Sequence, residues 1–199
     1  MSKPQNETLD EDNLWSIVES AIINIFNQEQ TNLSQNQIEG AVESLISMNQ
    51  SSKITEGFNK LIKDQFLKWH ENLSGINGNQ LLVSFSSFYT NFKKYCLDIP
   101  QIFIIYDKSF EGKTENEESE THNQLCSLFK DILLTDSNLI TNLNDAILSE
   151  VHNSRYGSEV DLTVLKNLIE MYSSFQNNYA TLFTDFFDRF KNETKNFYN

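Results

Sequence analysis

Proline and glycine are scarce in this chain, with two prolines (Pro4 and Pro100) and six glycines in 199 residues. Little in it interrupts a helix, and because Gly40, Gly57, Gly75, Gly78, Gly112 and Gly157 all stand alone, no glycine-rich loop exists to cradle a phosphate. Two cysteines, Cys96 and Cys126, are too few for a multi-bridge disulfide framework. Basic residues are outnumbered 15 to 28 by acidic ones, giving a net charge of -13. A surface of that sign repels phosphate backbones and anionic headgroups, so neither nucleic acid nor a membrane is an expected partner. Long apolar runs are also missing, since no stretch approaches the roughly 18 residues of a membrane-spanning helix. Met1 to Glu11 is polar and acidic where a secretory leader needs a basic start and an apolar run. The expected location is therefore intracellular, in cytoplasm or nucleus.

Hydrophobic residues make up 39% of the chain, enough to bury a core. They recur at steps of three and four almost throughout, which predicts an all-α protein, a helical solenoid or bundle of about eight to nine helices. Residues 1–12 read as a disordered tail. Leu14, Trp15, Val18, Ala21, Ile22, Ile25 and Phe26 then form one face of a first helix. Ser34 is placed to cap the second, with Gln37 completing a capping box and Ile38, Val42, Leu45 and Ile46 as its stripe. A third helix over 53–73 stops at the Ser74-Gly75 and Asn77-Gly78 turn signals. A fourth over 79–96 continues toward Pro100, where a kink or restart is expected.

Residues 102–110, IFIIYDKSF, have the composition of a strand but no second β-like run to pair with, so a helix is predicted there too. Glu111 to Glu120 reads as an acidic exposed loop. Further helices are predicted over 122–134, 137–153, 160–175 and 178–197. Gly157 should end one of them in a left-handed conformation, and Asp161 or Ser158 should cap the next.

Chemistry-bearing patterns are few. His122 and Cys126 lie four apart, the spacing of a metal pair on one helical face, and Glu118 would add a third ligand only if the acidic loop folded back. A closed zinc site needs four ligands, and no second Cys/His pair stands at matching spacing, so the expectation is a small buried Cys beside a surface His, without metal or other cofactor. Cys96 paired with His70 or His152 would lack an orienting third group and an oxyanion donor. Asp98 and Asp107 are more than two helical turns apart and read as solvated or salt-bridged carboxylates. Phe183, Phe186, Phe187, Phe190, Phe197 and Tyr198 recur at helical spacing and read mainly as core.

Several ordered segments do point somewhere. LWSIVESAIINIF and KITEGFNKLIKDQFLKW are similar to the first and third helices of the repeats with which cullins begin. LLVSFSSFYTNFKKYCLDIPQIFIIYDKSF, residues 81–110, aligns without gaps to the following part, ending at Tyr106, Asp107, Lys108, Ser109 and Phe110 where the family carries a tyrosine-leucine-aspartate-arginine motif and an aromatic. Arg155-x-Gly157 with Val160-Asp161 is similar to the family's glutamate-arginine-x-glycine-glutamate turn, with Ser154 and Ser158 replacing the glutamates. Tyr179, Phe183, Phe187, Phe197 and Tyr198 resemble its aromatic helix. The chain thus resembles the N-terminal, adaptor-binding part of cullins, the scaffolds of ubiquitin ligases.

The resemblance implies a first five-helix repeat over 13–135 and a partial second over 136–199. It also implies a non-catalytic role in which a substrate adaptor of BTB/POZ-like or similar fold docks on the second helix and the segment from the fourth into the fifth helix of the first repeat. On this chain those positions are Leu33, Gln35, Asn36, Glu39, Glu43 and Phe110. The family favours a phenylalanine and several tyrosines along the second helix, where this chain has Gln35, Glu39 and Glu43. Cullins bind their RING protein through a later C-terminal domain, so no RING partner is expected for these residues. The alternative reading is a helical tethering or trafficking module, unrelated to ubiquitin, whose acidic surface meets a basic partner.

Overall fold

The computed structural model describes residues 10–109 and 119–198, and for 176–182 the backbone alone. Every regular element among them is helical: α1 (Glu11–Asn27), α2 (Gln35–Ser47), α3 (Ser51–Leu73), α4 (Gly78–Ile102), α5 (Ile104–Lys108), α6 (Glu120–Phe129), a π-helical turn (Lys130–Leu134), α7 (Ser137–Arg155) and α8 (Leu162–Tyr198). Residues 102–109 are helix and turn, as the missing strand partner required. Of the tail expected over 1–12 and the loop expected over 111–120, residues 1–9 and 111–118 lie outside the described residues, as does Phe110, whereas Glu11 and Asp12 form the first turn of α1 and Glu120 opens α6.

Packing divides the chain into two compact units, one of residues 1–65 and 94–127, the other of 66–93 and 128–199. In the first, α2 turns Ile38, Ala41, Val42 and Leu45 inward, all at most 4% exposed, and packs against α1 and α5. Leu14, Val18, Ala21 and Ile22 of α1 and Ile54, Phe58 and Ile62 of α3 complete the apolar interior. Trp15 lies over Gly57 so closely that a Cβ there would stand 2.3 Å from the indole Cζ2. Tyr95 stacks obliquely on Phe26, centroids 5.1 Å apart, and its hydroxyl donates to the Phe26 carbonyl at 3.3 Å. Burial pushes that phenol up to about 12.

Pro100 sits inside α4 and contributes no N–H to its ladder. The chain restarts three residues later, where the Phe103 N–H donates to the Pro100 carbonyl at 3.1 Å and α5 begins.

The second unit is built on aromatic rings. Phe66, Phe92, Phe129 and Phe175 are all buried, with Phe92 stacked on Phe129 at 4.1 Å and Phe129 on Phe175 at 5.6 Å. Trp69 stacks on Phe88 at 5.1 Å with the planes 9° apart. After Phe129 the winding widens into a π turn, closed by the Thr135 N–H on the Lys130 carbonyl at 3.1 Å, and both Leu133 and Leu134 turn inward. An unbroken α-helix over 122–134 was predicted, so this turn is a departure.

Asp136 caps α7, accepting from the N–H groups of Asn138 and Leu139 at 2.9 and 3.1 Å, and His70 bonds its other oxygen at 2.7 Å. Gly157, at φ +85°, ends α7 as expected; the Ser158 N–H reaches back to the Asn153 carbonyl at 3.0 Å. Asp161 then caps α8 through Thr163 and Val164.

The two helices predicted over 160–175 and 178–197 form one continuous α8 of 37 residues. Asn177 and Asn178 are weak helix formers, but with neither proline nor glycine beside them nothing stops propagation. Its aromatic series divides by depth: Phe183 and Phe186 are buried, Phe187 and Phe190 half-buried, and Phe197 and Tyr198 exposed.

Candidate docking face

The solvent side of α2 is assembled by its cap. Ser34 adopts an extended conformation and forms the full capping box: its Oγ accepts from the Gln37 N–H at 3.3 Å, and the Gln37 Oε1 accepts from the Ser34 N–H at 2.9 Å. The Leu33 N–H donates to Thr31 Oγ1 at 3.1 Å, which fixes the approach to the helix. From this start the 3.6-residue period sends Ile38, Ala41, Val42 and Leu45 to the core and leaves Gln35, Asn36, Glu39 and Glu43 on the outer side.

Of the expected docking residues, Gln35, Asn36, Glu39 and Glu43 lie along α2, and Leu33 precedes its Ser34 cap. Gln35, Asn36 and Glu43 are exposed, while Leu33 and Glu39 are half-buried. Gln35 Nε2 donates to Glu39 Oε1 at 2.8 Å, one helical turn apart, so these two side chains already hold each other in register. No basic residue occurs in α2, whose outer side carries the charge of Glu39 and Glu43. Phe110, the sixth expected residue, lies outside the described residues.

Near it in sequence, α5 is firmly anchored. Tyr106 is buried with its hydroxyl 2.6 Å from Thr55 Oγ1, and Asp107 Oδ1 accepts from the Thr121 N–H at 3.0 Å and from its hydroxyl at 2.9 Å. Asp107, expected to be solvated or salt-bridged, instead ties α5 to the start of α6 through Thr121. Apolar side chains of the first unit left in solvent include Met48, Leu97 at 70% exposure and Ile104. None was singled out in the sequence, because an outward Leu on an otherwise amphipathic helix carries no local signal.

A different group was half missed. His122 and Cys126 share a face of α6, with Nε2 and Sγ 3.5 Å apart, and Cys96 of α4 joins them so that the three ligand atoms lie within 4.8 Å of one another. The sequence pairs the first two by spacing but has no means of adding the third.

The second unit explains the Arg-x-Gly turn in structural terms. Arg155 Nη2 donates to Thr194 Oγ1 at 2.5 Å, and the guanidinium lies over the rings of Phe190 and Phe197 at 5.7 and 5.5 Å. The arginine therefore clamps the end of α7 to the last turns of α8.

This helical architecture and the order of its motifs agree with one family. Residues 15–199 match the model of the cullin alpha solenoid domain. The chain belongs to the cullin family. It is 22% identical over 179 residues to Cullin-3A of Arabidopsis thaliana, covering 87% of this chain and 24% of that protein. Cullin-4 of Dictyostelium discoideum is 25% identical over 194 residues, covering 95% of this chain and 23% of that protein. Cullin-3 of the same organism is 20% identical over 175 residues, covering 88% and 22%. The chain spans about a quarter of the length of these cullins. Cullins are ubiquitin-ligase scaffolds, and this chain carries their solenoid domain.

Proposed function

We propose that this cullin-family domain is a non-catalytic docking module, intracellular, whose α2 face receives a substrate adaptor for ubiquitin-dependent degradation. The reading divides the chain into a first cullin repeat over 13–135 and part of a second over 136–199. The observation that supports it is the outer side of α2 within a solenoid-domain match covering 15–199: Gln35, Asn36, Glu39 and Glu43 lie on the side away from a packed apolar face, with Leu33 just before the Ser34 cap. A rigid support of this kind reduces the ordering cost of docking. An adaptor of BTB/POZ-like fold is the partner class, with Leu33 and Phe110 as apolar anchors. Glu39 and Glu43 favour basic groups on the adaptor and accelerate encounter.

The test is a titration of the purified chain with candidate BTB/POZ adaptors. Leu33→Asp and Phe110→Ala should each weaken binding about tenfold or more. Glu39→Lys with Glu43→Lys should mainly slow association and reduce its salt dependence. Unchanged affinity in both Leu33→Asp and Phe110→Ala removes the proposed face.

The absence of an aromatic residue from α2 favours one other reading, an acidic tethering module for a basic partner. Co-purification from cell extract separates the two: ubiquitin-ligase subunits support the first, coat or tether components the second.

A further inference from the structure

We infer that Cys96, His122 and Cys126 form a binding site for a borderline or soft metal cation, zinc foremost, with one coordination position left to water or an external ligand. A tetrahedral zinc ion with Zn–S near 2.3 Å and Zn–N near 2.0–2.1 Å sets its S···N edges at about 3.6 Å and its S···S edge at about 3.8 Å. The observed separation of His122 Nε2 and Cys126 Sγ is 3.5 Å, already that edge. All three donor atoms fall within 4.8 Å, so closing on an ion asks for a shift of about 1 Å at most.

The frame is suited to the task. Two ligands are one turn apart on α6, whose rigidity fixes their spacing, and the third is on α4. The start of α6 is held independently by the two bonds from Thr121 to Asp107, so the imidazole is positioned before any ion arrives. All three ligand residues are half-buried, which leaves a solvent path for the ion and for a fourth ligand. Two thiolates and one imidazole are a donor set that selects zinc or other thiophilic ions over magnesium or calcium. The thiols ionise on binding and release two protons, so affinity rises with pH.

This site shares no residue with the docking face. Occupancy would join α4 to α6 across the interval that contains Phe110. That would couple metal to the stability of the first unit.

The experiment uses the whole chain, reduced and metal-free, titrated with cobalt(II) and then zinc. Because Cys96 and Cys126 are the two cysteines of the sequence, any sulfur-to-cobalt charge-transfer band must come from them. The expected result is one equivalent of cobalt, bound with that band and with tetrahedral d–d absorption, displaced by zinc. Zinc should also raise the melting temperature of the unmodified protein. Cys96→Ser, Cys126→Ser and His122→Asn should each weaken binding about tenfold or more, whereas His70→Gln and His152→Gln leave it unchanged. Absence of the band and of the zinc-dependent melting shift in the unmodified chain overturns the inference without recourse to any variant. So does a band that survives Cys96→Ser at full affinity, or a Cys96–Cys126 disulfide that forms in air and is not blocked by zinc.

Discussion

Gly57→Ala places a methyl group where Trp15 already stands. The added Cβ would lie 2.3, 2.6 and 2.8 Å from the indole Cζ2, Cε2 and Cη2, well inside van der Waals contact. If the ring stays, the overpacking costs about 1–3 kcal/mol. If it swings outward, the half-buried indole gives up part of the roughly 1.5–3 kcal/mol that burying a large apolar side chain provides. Against either stands the helix propensity of alanine, which favours the substitution by about 0.5–1 kcal/mol inside α3. The net expectation is a loss of about 1–2 kcal/mol. In a Trp15→Ala background the obstruction is gone and only propensity remains, so the same substitution should stabilise by about 0.5–1 kcal/mol. Urea unfolding followed by far-ultraviolet circular dichroism of the four proteins in the cycle measures both effects. Their difference, a coupling of about 2 kcal/mol, is the signature of direct contact. A Gly57→Ala protein more stable than the parent, or an effect equal in both backgrounds, would refute the close approach of α1 to α3.

Three other outcomes follow from the second unit. Asp136 is held below the usual carboxylate range, chiefly by its hydrogen bond with His70 and then by the Leu139 N–H. Its stabilising effect is therefore full above the unfolded carboxylate pKa near 3.9 and is lost as pH falls through the depressed folded value. Asp136→Ala should cost about 1 kcal/mol at neutral pH, and the gap from the parent should close in acid unfolding titrations. Tyr172→Phe removes the donor, 2.6 Å away, of the buried Asn144 Oδ1 and should cost about 1–3 kcal/mol in chemical denaturation, with Asn144→Leu recovering part of it. Arg155→Lys keeps the charge but not the planar group over Phe190 and Phe197, so amide exchange in the last turns of α8 should accelerate while the α7 core stays protected.

What was readable in the sequence was what a single helix decides for itself. The Ser34–Gln37 box, the left-handed Gly157 and the Asp161 cap depend on residues within a turn of one another, and all three stand as expected. The inward stripe of α2 was equally plain: Ile38, Val42 and Leu45 are buried and Ile46 half-buried. Errors arose where local signals compete. Asn177-Asn178 is a weak helical pair, yet helix propagation costs little once long flanks on both sides are formed, so α8 continues. The π turn after Phe129 has no sequence mark, because it serves the simultaneous burial of Leu133 and Leu134.

The metal-ligand group shows the same boundary from the side of function. His122 and Cys126 announce themselves by a spacing of four, a property of α6 alone. Cys96 becomes their neighbour only through the packing of α4 against that helix, and no periodicity within either helix encodes which turns will meet. The contact that permits it is set by residues with no chemistry of their own: Tyr106 is buried against Thr55, and Asp107 holds Thr121 at the start of α6. Asp107→Asn, which retains one acceptor oxygen, should leave cobalt binding by the triad close to the parent's, whereas Asp107→Leu, which removes both bonds to Thr121, should weaken it without touching a ligand. Equal affinities in the two variants would mean that α6 alone positions the imidazole, and that the Asp107–Thr121 pair has no part in building the site.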